Sequence, residues 1–254
     1  MIGFCKASLL AGAIVILTAC ASTGTREYIA PDAKAAELNM QLGLSYLQSG
    51  DYQIAMEKLD KALKQNPNLP SAHNTIALLY QRLGETEKAE KHFREAVNRA
   101  PQYSEAQNNY GVFLCQQGKY EQAEQRFLKA VDNPLYQSAA MAYENAALCT
   151  REIPDVVKAE AYFRRALQIN PDLSKSLIGM ADLSYTQQNY LQARAYVQRF
   201  NSVAPWTSQA LLTAIKTESK LGNQDAVSSY ILIMRARFPD SDEMRLVNEG
   251  VDIL

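Results

Sequence analysis

From about residue 36 onward, apolar residues recur at i, i+3, i+4 and i+7 in short blocks separated by turn residues. That period is the one an amphipathic helix presents, so each block predicts a helix with one buried face. The blocks come in pairs. Leu42, Gly43 and Tyr46 lead to Gly50-Asp51-Tyr52, and then Ala55, Leu59 and Ala62 lead to Asn66-Pro67. Later pairs are divided at Gly84, Gly118, Pro154, Asn189 and Gly222. Asn-Pro or Ala-Pro closes the second block, because the residue before a proline avoids the helical region.

The pairs repeat. Prolines recur at a spacing of 34, from Pro67 to Pro101 and again from Pro171 to Pro205 to Pro239. The gap from Pro101 to Pro171 is two periods plus a two-residue insertion. An alanine keeps the same beat at positions 55, 89, 123, 159, 193 and 226, the last one place early. Self-similarity at a fixed period predicts helical hairpins stacked into a solenoid, each burying its face against the next. Such a stack makes an extended binding surface rather than a catalytic pocket.

Individual positions agree in phase. The second unit has Tyr80, Gly84, Ala89, Phe93, Ala96 and Pro101, and the third has Tyr110-Gly111, Gly118, Ala123, Phe127 and Ala130. The fourth has Ala147, Ala159, Phe163, Ala166 and Pro171, the fifth Met180-Ala181, Ala193, Phe200 and Pro205, and the sixth Gly222, Ala226, Tyr230 and Pro239. This pattern resembles the tetratricopeptide repeat (TPR). The resemblance implies an all-α, right-handed α-solenoid of about six TPR units at 36–69, 70–103, 104–139, 140–173, 174–207 and 208–241, with a helical cap at 242–254. In that frame the first helix of each unit lines a concave face. Its groove-facing positions are Met40, Leu44 and Leu47, then Asn74, Leu78 and Gln81, then Asn108, Val112 and Cys115. Apolar side chains with interleaved amides suit a helix or an extended peptide of a protein partner.

The N-terminus has another logic. Lys6 precedes a short run of apolar or small residues, Ala7 to Leu17. The run is too short to span a bilayer as a mature helix, and with its flanks it reads as an export signal over residues 1–19. Leu17-Thr18-Ala19-Cys20 resembles the lipobox of bacterial lipoproteins. That implies cleavage before Cys20, a covalent lipid on Cys20 and, with Ala21 rather than Asp next, outer-membrane sorting. Residues 21–35 are small and polar, broken by Pro31, and read as a flexible linker behind the lipidated Cys20. Fully extended, they would reach roughly 50 Å.

Composition narrows the function classes. With 26 basic and 27 acidic residues the chain lacks the basic footprint expected of a nucleic-acid binder. No phosphate-binding glycine loop and no Gly-x-Ser-x-Gly elbow occur, which gives catalysis little support. His73 and His92 are the two histidines, and they fall in different blocks. That is not metal-ligand spacing, so His73 is expected to be packed, His92 solvated, and no metal bound. The charges around Glu85, Glu87, Lys88, Glu90 and Lys91 read as solvated helix-surface pairs. An enzyme is not expected. Cys115 and Cys149 remain once Cys5 leaves with the signal and Cys20 takes lipid. In an exported, oxidising setting they are a disulfide candidate, the alternative being two small buried hydrophobes. The two-residue insertion somewhere between them leaves their relative phase open.

Longer strings are more specific. Asn108-Asn109-Tyr110-Gly111-Val112-Phe113-Leu114-Cys115, Gln116-Gln117-Gly118-Lys119-Tyr120, Asn133-Pro134-Leu135-Tyr136, Glu144-Asn145-Ala146-Ala147-Leu148-Cys149 and His92-Phe93-Arg94-Glu95-Ala96-Val97 resemble the type IV pilus biogenesis lipoproteins of the PilF/PilW family. Ala147 stands where glycine is expected there. The resemblance implies a pilotin on the periplasmic side of the outer membrane, which binds the secretin subunit of the pilus, promotes its localisation and multimerisation, and needs no cofactor and no nucleotide. Other readings kept open are a TPR lipoprotein scaffold or regulator of periplasmic cell-wall enzymes, and an outer-membrane protein assembly factor.

Overall fold

The structure is a computed structural model and describes residues 33–250 except 152 and 154. The expected signal segment, Cys20, most of the linker and Pro154 lie outside the described residues. Helical hairpins follow one another: α1 (Ala33–Ser49) with α2 (Tyr52–Gln65), α3 (Pro70–Arg82) with α4 (Thr86–Arg99), and α5 (Ser104–Gln116) with α6 (Tyr120–Val131). They continue with α7 (Ala139–Thr150) and α8 (Val156–Ile169), α9 (Ser174–Thr186) and α10 (Tyr190–Val203), and α11 (Ser208–Lys220) and α12 (Gln224–Arg237). A short α13 (Asp242–Asn248) packs on α11 and α12. The described residues hold helices and turns and form the expected solenoid.

The repeated alanines explain the packing. Ala55, Ala89, Ala123, Ala159 and Ala193 are fully buried where the helices of a pair approach closely. Phe93, Phe127 and Phe163 fill the gap one turn further on. Each such ring contributes about 1.5–3 kcal/mol by leaving water. Phe93 also meets Tyr110 and Phe113 of the next hairpin, at centroid separations of 5.6 and 5.2 Å, which ties the second repeat to the third. At Gly111 a Cβ would meet the Phe127 ring at 2.6 Å, so any side chain there must displace the ring. Ala147, at the corresponding crossing with Phe163, has its methyl group accommodated.

Five of the first helices, all but α7, end alike. The amides of residues 50 and 51 bond back to Leu47 and Tyr46, those of 84 and 85 to Gln81 and Tyr80, and those of 118 and 119 to Cys115 and Leu114. This double bond pattern needs a left-handed residue at the helix end, and Gly50, Gly84, Gly118 and Gly222 have φ of 86°, 76°, 72° and 74°. In the fifth repeat that place is held by Gln188, at φ 63°. Asn189, expected to be the turn residue, is instead the N-cap of α10 at φ −85°.

One detail of register differs from the expectation, and the place of the insertion, left open there, is resolved. Ala226 is half-buried, whereas Val227 is buried at the position one full period after Ala193. The sixth repeat therefore keeps the period, and the early alanine is a coincidence of composition. The two-residue insertion falls in the 132–138 connection. Buried residues of α5 (106, 110, 111, 113, 114) recur one period plus two later in α7 (142, 146, 147, 149, 150), while α6 keeps the regular period from α4.

Curvature follows from which helices touch. Each first helix packs against the next first helix, α1 on α3 through to α9 on α11, whereas no two second helices are in backbone contact among the described residues. The stack therefore bends with its first helices inside, and their solvent-facing side chains line the concave face.

Candidate functional site

With the longer step into α7 included, equivalent positions of the first helices align in rows on and beside the concave face, Asn74, Glu144 and Ile178 among them being buried. The middle row runs Leu44, Leu78, Val112, Leu148, Asp182, Lys216. One flank runs Met40, Asn74, Asn108, Glu144, Ile178, Leu212, and the other Leu47, Gln81, Cys115, Arg151, Tyr185, Ser219. The expected groove residues thus come together on one face. Three clefts follow it. Leu44, Leu47, Leu78 and Arg82 help line one of about 450 Å³, and Val112, Cys115, Leu148 and Asn145 help line one of about 230 Å³. Asp182, Tyr185, Gln209, Leu212 and Lys216 help line one of about 390 Å³.

The amides on this face serve the scaffold first. Asn109 Nδ2 donates to Asn74 Oδ1 at 3.3 Å, Asn145 Nδ2 to Asn108 Oδ1 at 3.0 Å, and Gln81 Nε2 to Gln116 Oε1 at 2.6 Å. Each bond crosses from one first helix to the next. Asn74 is only 5% exposed, so it belongs to the seam between helices more than to the open surface. Met40 is partly buried against Ala36, Leu59 and Ile76. Leu44, Leu47, Leu78, Gln81, Asn108 and Val112 are half-exposed and remain available at the face.

Cys115 and Cys149 have Cα atoms 5.8 Å apart and are joined as a disulfide. The insertion places them out of phase: Cys115 faces the groove, while Cys149 is buried at the place Phe113 takes in α5. The bridge forms because the two-residue step brings an inward-facing position of α7 beside an outward-facing one of α5.

The row positions beyond Val112 escaped the sequence analysis, which followed the groove only to the third repeat. The signal for them was the same period. Asp182 is built into a network: Thr213 Oγ1 donates to its Oδ1 at 2.6 Å, Gln209 Nε2 to its Oδ2 at 3.1 Å, and Arg151 Nη2 lies 3.6 Å from Oδ2. Burial pushes its carboxyl above the usual carboxylate range, against the pull of Thr213, Arg151, Gln209 and Lys216. Glu144 is buried too, and accepts from both the backbone N–H and the hydroxyl of Ser176 at the start of α9. Its carboxylate satisfies an N-terminal amide of a helix whose N-cap, Leu173, has no side chain able to do so.

His92 is not solvated as expected. It is half-buried, and its Nδ1 lies 3.1 Å from Nδ1 of His73. His73 Nε2 is 3.1 Å from the Pro67 carbonyl oxygen, which can only accept, so Nε2 carries the proton and Nδ1 receives one from His92. One repeat later, Gln107 donates to the Pro101 carbonyl at 2.9 Å and accepts from Arg126 at 3.3 Å. The histidine pair is therefore the second repeat's version of the Gln107–Arg126 strut. Burial, followed by the neighbouring His73 and Lys91, lowers the His92 pKa to about 4, and burial lowers that of His73 as well. Among the described residues no group of three or more His, Cys, Asp or Glu is gathered as a metal site, and no helix is long and apolar enough to cross a membrane.

Fold and groove define a tetratricopeptide-repeat protein. Signatures of that repeat match residues 43–84, 68–133 and 114–174. The type IV pilus assembly protein PilF of Pseudomonas aeruginosa is 31% identical over 241 residues, covering 94% of this chain and 96% of the relative. The solved structure of Pseudomonas aeruginosa PilF superposes with a TM-score of 0.81 at 31% identity, covering 85% of this chain and 98% of that one. The crystal structure of PilW, described as a widely conserved type IV pilus biogenesis factor, gives a TM-score of 0.75 at 29% identity, covering 84% and 98%. YrrB, a TPR protein with an unusual peptide-binding site, shares the fold at 15% identity and a TM-score of 0.61. The chain belongs to the PilF/PilW family of TPR type IV pilus biogenesis proteins.

Proposed function

We propose that this protein acts in type IV pilus biogenesis as a pilotin, an outer-membrane lipoprotein facing the periplasm that binds the secretin subunit. In this reading the lipid on Cys20 fixes the address, the linker to residue 32 gives reach, and the concave face holds a segment of the client. Binding delivers the subunit to the outer membrane and promotes its multimerisation. The protein binds and positions; it uses no nucleotide, metal or other cofactor beyond its covalent lipid. Oxidation of Cys115 and Cys149 in the periplasm would rigidify the middle of the groove.

The observation that carries this reading is the match to PilF over 94% of the chain, with the same repeat solenoid. The half-exposed aliphatic residues Leu44, Leu78, Val112 and Leu148 give the groove the apolar surface that a protein segment needs. The test is Cys20→Ala. The variant should be folded but released from the membrane, and the secretin should remain largely monomeric on semi-denaturing gels. Undiminished secretin multimers in the outer membrane would contradict the proposal.

A further inference from the structure

The third hairpin meets the fourth through unusually small side chains. Where one first helix lies on the next, the equivalent facing pairs are Leu47 with Leu79, Gln81 with Phe113, Arg151 with Leu183 and Tyr185 with Thr217. Each of these pairs includes a large side chain. Between α5 and α7 the pair is Cys115 with Cys149, bridged at 5.8 Å between Cα atoms. The two-residue step has put a cysteine in the place of Phe113, and the bridge fixes the two helices around it. Protein interiors are otherwise close-packed, so volume that a leucine or phenylalanine would fill stays as an opening. The opening is the cleft of about 230 Å³. Val112 and Leu148 line it, and so does Phe127, a core ring only 1% exposed, so the cleft reaches inward to the core.

The lining sets the chemistry of an occupant. None of the described residues around the cleft is charged. Its two amides already serve the scaffold, Gln116 accepting from Gln81 and Asn145 donating to Asn108. Hydrocarbon, ring and sulfur surfaces remain, and all three favour an apolar guest. At about 230 Å³ the cleft is smaller than the roughly 300–1,000 Å³ of small-molecule pockets, so it suits one large side chain rather than a separate ligand. Val112 and Leu148 are consecutive members of the aliphatic middle row. A segment lying along that row passes over the cleft.

We infer that the cleft beside the Cys115–Cys149 bridge anchors the client by one large apolar side chain, aliphatic or aromatic. This rests on the concave face being the client groove, and it adds the place where that groove takes hold. The bridge is then part of the binding site as well as a strut, because two cysteines leave room that every other facing pair fills.

A random-sequence peptide library panned on the oxidised wild-type chain tests it without presuming the client. Retained peptides should share one Leu, Met, Phe, Tyr or Trp. Replacing that residue with Ala should weaken binding about tenfold or more, as expected for unburying a large apolar side chain. A photoreactive phenylalanine at the same place should label α5 or α7. Two variants close the cleft by different routes. Val112→Phe narrows it and keeps the bridge, whereas Cys115→Gln with Cys149→Phe rebuilds the Gln81–Phe113 pair of the preceding junction. Both should melt cooperatively and bind the peptides about tenfold more weakly than wild type. Arg235→Glu, exposed on α12 away from the face, should leave affinity unchanged. Peptides with no shared large apolar residue, labelling elsewhere on the chain, undiminished binding by either folded variant, or no retained peptides would each overturn the inference. Dimerisation of the wild-type chain that the two variants abolish would also overturn it, by assigning the cleft to a second copy. The functional proposal fails separately, if peptides anchor at the cleft and the secretin subunit does not bind the wild-type chain.

Discussion

Below about pH 6.5 the His73–His92 pair works against the fold. Both rings are neutral in the folded chain, and partial burial disfavours the positive charge that a further proton on either would bring. The unfolded chain takes up protons at the ordinary histidine pKa of 6.5, whereas His92 in the fold waits until about 4. Stability is therefore complete above pH 6.5 and declines as pH falls from 6.5 toward 4. After screening at the half-exposed His92 ring the loss should be about 1–2 kcal/mol. Replacing the pair with its third-repeat counterpart, His73→Gln with His92→Arg, should keep the strut and flatten that decline in denaturant titrations. An unchanged pH slope would show that other groups carry it. Gln188 makes a second prediction. A left-handed non-glycine residue costs about 1–2 kcal/mol, and glycine recovers part of that while losing more entropy on folding. Gln188→Gly should raise stability by about 0.5–1 kcal/mol, and a lower melting temperature would contradict this account of the turn. The two sites were differently legible. The left-handed position could be counted from Gly118 by the period. The histidine contact could not, because its partners sit on facing helices at a separation the period does not mark.

At the scale of helices, the pairs and their order were readable because small residues and prolines recur at a fixed period and every repeat solves the same packing problem. The phase of α7 was not readable. A two-residue insertion can be absorbed at either end of a helix, and only the buried set of α7 shows that the 132–138 connection absorbed it. The disulfide depends on that choice, since at a uniform period Cys149 would occupy the place of Cys115 rather than that of Phe113. The bridge spans a sequence separation of 34, and closing such a loop should contribute about 2–4 kcal/mol. Cys149→Ser should lower stability by that amount and speed amide exchange in α5 and α7 more than in α1 or α11. Peptide mapping without reductant should recover the two cysteine peptides joined. Identical exchange in wild type and variant would contradict the strut role.

For the whole molecule, the first helices inside the curve turn six similar hairpins into one graded surface. Aliphatic positions continue to Leu148 and give way to Asp182 and Lys216 through a change of residues on a constant backbone. That gradient was written in the sequence at the repeat period, but its second half became visible only when the step at α7 was known. Groove occupancy is the claim on which the function depends. A photo-crosslinking residue placed at Leu78 or at Val112 of the membrane-anchored chain measures it directly. The account predicts an adduct with the secretin subunit from both positions and little from the convex Arg235. Equal crosslinking from Arg235, or no secretin adduct from either groove position, would contradict it.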